Sequence, residues 1–323
     1  MHIFDRRTDS DLGERPRTLD PSLDRYAIVI PTLNARSHLP ELLPALDRER
    51  TIFIDSSSTD GTAEVLRESG YTVISIDRAT FNHGKTRNMC LELCHTEFVI
   101  FMTQDARPTG DGLFEALLAP FEDETVAASY ARQLPRERAP VLEKLDRHFK
   151  YPATSCIQSL ENRDRLGAHR TYFLSNSCAA YRLSTFRALG GFIETEIMGE
   201  DALYAVKAIA RGYKIAYAAE AEVIHSHAYS PLQRLRRYFD TGVYRSSHAY
   251  SQQELGSQDV RSGRTYVRHI LTELIALKKY PSIAAFLLNA VIDLLGYQLG
   301  KNNRKIPVFL KQKLSMHPQY WSH

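Results

Sequence analysis

The chain has 323 residues, 43% hydrophobic and 24% charged, which is the composition of a soluble globular protein with one large or two smaller domains. A formal net charge of +3 is too small to argue for nucleic acid, and no such partner is expected. The four cysteines, Cys90, Cys94, Cys156 and Cys178, make neither a disulfide framework nor a paired CxxC zinc spacing, and they suit a reducing, cytoplasmic compartment.

Residues 1–24 are rich in Asp, Arg and Pro without periodicity and read as a flexible N-terminal arm with no signal peptide. Tyr26–Ile30 predicts a buried strand broken at Pro31, with the loop Pro31-Thr32-Leu33-Asn34 at its carboxyl end. A helix is expected from Leu39 to Arg48, then a second strand, Thr51–Ile54, which ends in Asp55. The hydroxyl-rich turn Ser56–Thr62 follows, where Asp60 is a good N-cap for a helix closed by Gly70. A strand over Tyr71–Ile76, a helix over Lys85–Cys94 and a strand over Glu97–Met102 continue the alternation. The last strand runs straight into Thr103-Gln104-Asp105 and so delivers a carboxylate to the rim of a sheet. Strands alternating with helices on short connections mean an α/β fold with a mostly parallel central sheet. Ligands of such sheets bind outside the carboxyl ends of the strands, where Asp55 and Asp105 stand.

Past Asp105 the pattern loosens. Strands are expected at Val126–Tyr130 and around Ser175-Asn176-Ser177, with a charged helix over Arg136–Tyr151 between them. Gly199-Glu200-Asp201 opens a helix that runs to Arg211 and closes at Gly212. Carboxylates in the first turn of a helix are stabilised by its dipole, and at a cleft the same placement keeps a carboxylate ionised and ready to take a proton. A short strand, Lys214–Tyr217, precedes Val223-Ile224-His225-Ser226-His227. Residues 231–323 read as a helical, basic C-terminal region beyond a catalytic domain of residues 25–230, with helices at roughly 231–252, 265–279 and 281–300. Arg234, Arg236, Arg237 and Arg245 make one basic group, and Lys301, Arg304, Lys305, Lys311 and Lys313 follow with no acidic residue after Gly296. The longest apolar run, Ile283–Leu295, is broken by Asn289 and Asp293 and reads as too short and too polar to span a bilayer.

Five stretches in order are Ile-Pro-Thr-Leu-Asn (30–34), Ile-Asp-Ser-Ser-Ser-Thr-Asp-Gly-Thr (54–62), Phe-Asn-His-Gly-Lys-Thr-Arg-Asn (81–88), Thr-Gln-Asp-Ala (103–106) and Gly-Glu-Asp (199–201). Together they resemble the inverting family 2 glycosyltransferases of the nucleotide-diphospho-sugar transferase (GT-A) fold, with a C-terminal helical extension. The third and fourth stretches, with Gly-Tyr-Gln-Leu-Gly-Lys-Asn (296–302) and Leu-Ser-Met-His-Pro (314–318), resemble the bacterial rhamnosyltransferase branch.

The resemblance implies a nucleotide-diphospho-sugar donor bound by Pro31, Thr32, Asn34, Asp55, Ser57, His83, Lys85, Arg87, Gln104 and Asp105. It implies Asp201 as general base with Glu200 beside it, and Asp105 as ligand of Mg²⁺ or Mn²⁺, with His225 and His227 as further candidate ligands. Thr103 stands where the family's first Asp of an Asp-x-Asp pair would be, so one carboxylate is left for the ion, and Mg²⁺ tolerates this by keeping waters and phosphate oxygens. The donor implied is dTDP-rhamnose, with a UDP-hexose as the alternative. The acceptor implied is a polysaccharide or a lipid-linked glycan, as in O-antigen synthesis, approached at the inner face of the membrane.

Two rival readings are weighed. A dinucleotide-binding oxidoreductase needs Gly-rich phosphate fingers after the first strand, and Pro31-Thr32-Leu33-Asn34 contains no glycine. A non-catalytic nucleotide-sugar-binding protein would have no need of both Asp105 and Asp201. Ile283–Leu295 has three readings: it packs the helical part on the catalytic domain, buries a homodimer contact, or lies with the basic tail on an anionic membrane surface.

Overall fold

A computed structural model describes residues 25–247 and 249–322. The expected N-terminal arm lies outside the described residues. The strands are β1 (Tyr26–Thr32), β2 (Thr51–Asp55), β3 (Thr72–Ser75), β4 (Phe98–Met102), β5 (Arg107–Pro108), β6 (Val126–Leu134), β7 (Cys156–Gln158), β8 (Cys178–Arg182) and β9 (Lys214–Ile224). They form one sheet in the order β3-β2-β1-β4-β8-β6-β9-β5, with β7 also paired to β9. β1 to β4, β6 and β9 run in one direction, and β5, β7 and β8 run against them.

The helices used below are α1 (Leu39–Leu42), α2 (Thr62–Glu68), α3 (His83–Asn88), α4 (Leu113–Leu118), α5 (Val141–Lys150), α6 (Glu200–Ala210), α7 (Pro231–Ser247), α8 (Ala249–Ala276), α9 (Tyr280–Lys301) and α10 (Val308–Leu314). Helices cover both faces of the sheet, so the strands read as continuous apolar runs that alternate sides. Ala27, Val29, Val99 and Phe101 face one core with Ala205 and Ile209 of α6. Ile28, Ile30, Ile100 and Met102 face the other with Leu39, Leu66 and Leu117. Cys90 and Cys94 are packing residues of the first core.

Several elements differ from the expectation, each for a local reason. β1 continues through Pro31 and Thr32, because pairing to β4 ends at Val29 while pairing to β2 runs on to Asp55, so no ladder toward β4 needs the missing N–H. The helix expected over Leu39–Arg48 stops at Leu42 and tightens to a 3₁₀ turn at Pro44. Gly61, not Asp60, is the N-cap of α2, and Asp60 bonds the N–H groups of Arg36 and Thr62 from one residue earlier. Ser175-Asn176-Ser177 precedes β8 as loop, and β9 is an 11-residue strand where a short one was expected. The first C-terminal helix ends at Ser247, and α8 runs over Ala249–Ala276.

The C-terminal helices dock on this frame. α7 shares a core with α6 through Phe239, Val243, Tyr244, Leu203 and Ile197. α9 lies against α7 so closely that a Cβ at Gly300 would stand 2.0 Å from the Phe239 carbonyl oxygen, and one at Gly242 2.2 Å from that of Tyr297. α9 is also longer than the run Ile283–Leu295: its 22 residues are long and apolar enough, by length and composition, to cross a membrane. Asp293, one of its polar breaks, pairs with Arg234 of α7.

Candidate active site

The site lies at the carboxyl ends of β1, β2 and β4 and the loops facing them. At the β1 and β2 ends, the buried Asp55 carboxylate accepts from the Ser58 N–H (3.0 Å) and hydroxyl and from the Thr32 hydroxyl (3.4 Å). Asn34, at φ 51°, accepts on Oδ1 from the Thr59 N–H (2.9 Å), so its side chain holds the Ser57–Asp60 turn. Ser57 is exposed and donates to the Ile76 carbonyl (2.9 Å). Gln104 bonds Leu33 at both ends of its amide, 2.8 Å from the N–H and 3.1 Å from the carbonyl, and so ties the β4 end to the β1 loop. Pro31 sits half-buried within β1.

Asp105, three residues past β4, meets the end of β9. His225 Nε2 lies 3.5 Å from its Oδ1 and His227 Nε2 3.6 Å from its Oδ2, and the two Nε2 atoms are 3.1 Å apart. The ligand atoms of all three lie within 4.8 Å of one another. Gln133 of β6 decides which nitrogen of His225 is bare. Its Oε1 accepts from Arg147 Nη1 (2.7 Å), and an arginine can only donate. The same oxygen lies 2.8 Å from His225 Nδ1, which must therefore carry the proton and leave Nε2 with a free lone pair. Burial, then the neighbouring His225, push His227 down to about 4, so it is neutral at pH 7, as a ligand must be. Burial works against an ionised Asp105, but when the His225 ring is protonated its hydrogen bond and charge outweigh burial and hold the carboxyl below its usual range. One carboxylate oxygen and two imidazole nitrogens converging on one point fit a divalent cation, and nitrogen ligands favour Mn²⁺ over the oxygen-preferring Mg²⁺.

The second half of the site starts from α3. Asn82 caps that helix by accepting from the N–H groups of Gly84 and Lys85, and its amide donates to the Glu196 carbonyl (3.0 Å). Asn88, just at its end, grips Phe192 through both the carbonyl (3.0 Å) and the N–H (2.9 Å). Gly84 lets the helix touch the same loop, since a Cβ there would lie 2.1 Å from the Ile193 carbonyl oxygen. The motif Phe81–Asn88 is thus the seat of the loop that leads into Glu200 and Asp201. Its Arg87 is buried, with Nη1 3.1 Å from Glu200 Oε1. Its Lys85 is exposed.

Glu200 and Asp201 are neighbours with opposite surroundings. Burial disfavours ionised Glu200, but Arg87 overcomes this, helped by the Asn176 amide at 3.0 Å, and holds its carboxyl low. Among the described residues, Asp201 accepts from the N–H groups of Asn176 (3.1 Å) and Ala202 (2.8 Å) and has no cationic partner. Burial first, and the Glu200 charge second, push it up to about 7. Two carboxylates driven apart in this way are the arrangement in which one can take a proton near neutral pH. The halves of the site are joined: the Ser177 carbonyl accepts from the Thr103 N–H (3.2 Å), and Gln133 bonds both His225 and Ser175 (2.9 Å).

Residues 27–190 match the family described as Glycosyl transferase family 2. The chain is 39% identical over 307 residues to the O-antigen chain rhamnosyltransferase WbaN of Salmonella anatum, covering 92% of this chain and 96% of that one. The chain belongs to glycosyl transferase family 2. This family 2 glycosyltransferase is also 37% identical over 308 residues to the O-antigen chain rhamnosyltransferase RfbN of Salmonella typhimurium, covering 93% of this chain and 96% of that one. Its fold is like that of the mannosyltransferase PcManGT from Pyrobaculum calidifontis, solved in complex with GDP-Man and Mn²⁺, at a TM-score of 0.61 and 16% identity over 89% of this chain and 90% of that one. The expected GT-A fold is present, and with it an enzyme that transfers sugar.

Three residues of the glycosyltransferase's site were not singled out by sequence reasoning. Gln133 is buried near the end of β6, where a buried amide signals a partner. Asn176 was visible only as part of a polar group before an apolar strand. His317, within the Leu-Ser-Met-His-Pro stretch of the C-terminal tail, places its ring 5.0 Å from that of His83, a contact between distant parts of the chain that the stretch itself does not reveal.

Proposed function

We propose that this glycosyltransferase moves rhamnose from dTDP-rhamnose, with inversion, onto a hydroxyl of a polysaccharide or lipid-linked glycan. The observation that carries the chemistry is Asp201: a half-buried carboxylate poised near 7, beside a carboxylate that stays ionised. In the reaction the acceptor oxygen bonds to the anomeric carbon, the bond from that carbon to the diphosphate breaks with its electron pair, and Asp201 takes the hydroxyl proton. Glu200, held by Arg87, keeps Asp201 basic through its charge. Asp105, His225 and His227 would hold Mn²⁺, which supplies positive charge against the diphosphate. Asp55 and the Thr32–Asn34 loop take the nucleoside side of the donor. The names of the two Salmonella relatives support rhamnose.

The experiment is a thermal-shift panel of nucleotide-sugars with Mn²⁺ or Mg²⁺, followed by transfer assays with the donors that stabilise. A bound donor raises the melting temperature by mass action. dTDP-rhamnose with Mn²⁺ is expected to give the largest shift. Equal stabilisation and turnover with UDP-glucose would overturn the donor, and full activity in EDTA would overturn the cation. On this reading the enzyme works at the cytoplasmic face of the membrane, with α9 and the basic tail as its contact.

A further inference from the structure

The basic group of α7 has no role in the reaction as described, and the structure divides it. Arg234 is paired with Asp293 by two hydrogen bonds. Arg236 donates its Nε to the Lys313 carbonyl at 2.9 Å. Arg245 packs 5.8 Å from the centroid of the Tyr244 ring. Arg237 is different. It is exposed, and among the described residues no carboxylate lies within ion-pair distance of its guanidinium. Its Cζ stands 5.6 Å from the centroid of the Tyr229 ring. That ring lies 5.1 Å from the His227 ring and tilts 30° to it. The guanidinium is therefore one ring removed from the cluster of Asp105, His225 and His227.

The helix that carries Arg237 also leads to the other half of the site. Three residues further along α7, Asp240 accepts from the Met316 N–H at 2.8 Å and fixes the tail that sets His317 on His83. His83 is in turn beside Arg87, with its carbonyl 3.1 Å from Arg87 Nη1. The charge of Arg237 is felt at His227, at His83 and at His317, each of which is held below its usual range by burial first and this arginine among the later causes. A guanidinium one ring from the Asp105 cluster, with no carboxylate partner among the described residues, has a clear use in a transfer where negative charge appears on a departing diphosphate.

We propose that Arg237 binds the donor diphosphate and neutralises it as it leaves. This rests on the reaction proposed above. When the bond between the anomeric carbon and the diphosphate oxygen breaks, its electron pair stays on that oxygen, and Arg237 donates hydrogen bonds to the phosphate that carries it. The tyrosine ring under the guanidinium orients it without cancelling its charge, which a carboxylate partner would do.

The test is calorimetric binding of dTDP and dTMP to the purified full chain with Mn²⁺, for wild type, Arg237→Gln, Arg237→Lys and, as a control on the same helix, Arg236→Gln. Arg237→Gln is expected to weaken dTDP at least 10-fold and dTMP less than 2-fold, with Arg237→Lys in between and Arg236→Gln like wild type. dTDP binding by Arg237→Gln equal to wild type overturns the proposal, including the case in which only the acceptor KM rises, which would assign the arginine to a phosphate of the acceptor. A wild-type chain that binds no dTDP at all fails the donor reading instead, so the two failures are distinguishable. Circular dichroism melts of the variants separate a lost contact from a lost fold.

Discussion

At the scale of single residues, the site works by setting like groups in unlike surroundings. Asp201 and Glu200 are adjacent in sequence, yet Arg87 reaches only Glu200. A base must be ionised to act, so transfer should rise with pH through about 7, where burial and the Glu200 charge have put Asp201. Glu200→Gln removes the second of these causes and leaves Arg87 unpaired nearby, both of which lower the Asp201 pKa. The acid limb of the kcat/KM profile should therefore move to lower pH, and an unmoved limb would mean that another group titrates. Gln133 invites a second measurement. Because its amide fixes the proton on His225 Nδ1, Gln133→Ala should cost roughly 10- to 100-fold in Mn²⁺ affinity. Metal titration followed by calorimetry reads this directly, and unchanged affinity would take His225 out of the metal shell.

At the scale of elements, α3 shows how a motif can resemble a binding loop and serve as a joint. Its residues Asn82, Gly84 and Asn88 hold the 192–196 segment, and the base follows a few residues later. Gly84→Ala puts a methyl 2.1 Å from a backbone oxygen, which cannot swing aside as a side chain would. Overpacking of this kind costs about 1–3 kcal/mol. Chemical denaturation should show that loss, with transfer falling further than the stability loss explains, because Asp201 moves with the loop. Stability within about 0.5 kcal/mol of wild type would show that the joint tolerates the methyl, by the measure of an ordinary surface substitution.

At the scale of the whole molecule, one face of α9 is left uncovered. Gly296 and Gly300 press the helix against α7, while Leu287, Leu288, Val291, Leu294 and Leu295 point away, each at least 50% exposed. The spacing is that of a single helical stripe. Lys278 and Lys279 stand before the helix, and Lys301, Arg304 and Lys305 follow it. Its one acid, Asp293, is tied to Arg234. In the membrane contact proposed above this face lies on an anionic surface, since apolar area flanked by these cations suits that partner better than a second copy bearing the same cations. The chain should sediment with anionic vesicles at low salt and release at high salt. Leu288→Asp/Leu295→Asp should weaken that binding while leaving dTDP affinity intact. Indifference to anionic vesicles at low salt would leave the stripe to a protein contact.

The alternation of apolar strands and helices, and the carboxylates at strand ends, were legible in the sequence, because period and turn chemistry are local. Asp105 and Asp201 could be singled out for the same reason: each ends an apolar run or opens a helix. What the tertiary structure alone decided is which of these groups meet. His225 reaches Asp105 because β5, two residues past Asp105, pairs with the end of β9, Arg107 against Ile224, and its tautomer is set by Gln133, 92 residues away. Arg87, expected on the nucleotide, faces Glu200 across 113 residues of chain. Arg237 could not be told from Arg234 or Arg236 until α9 and the tail supplied partners for those two. A charge is defined by its neighbours, and the neighbours of a buried or half-buried group come from distant parts of the chain.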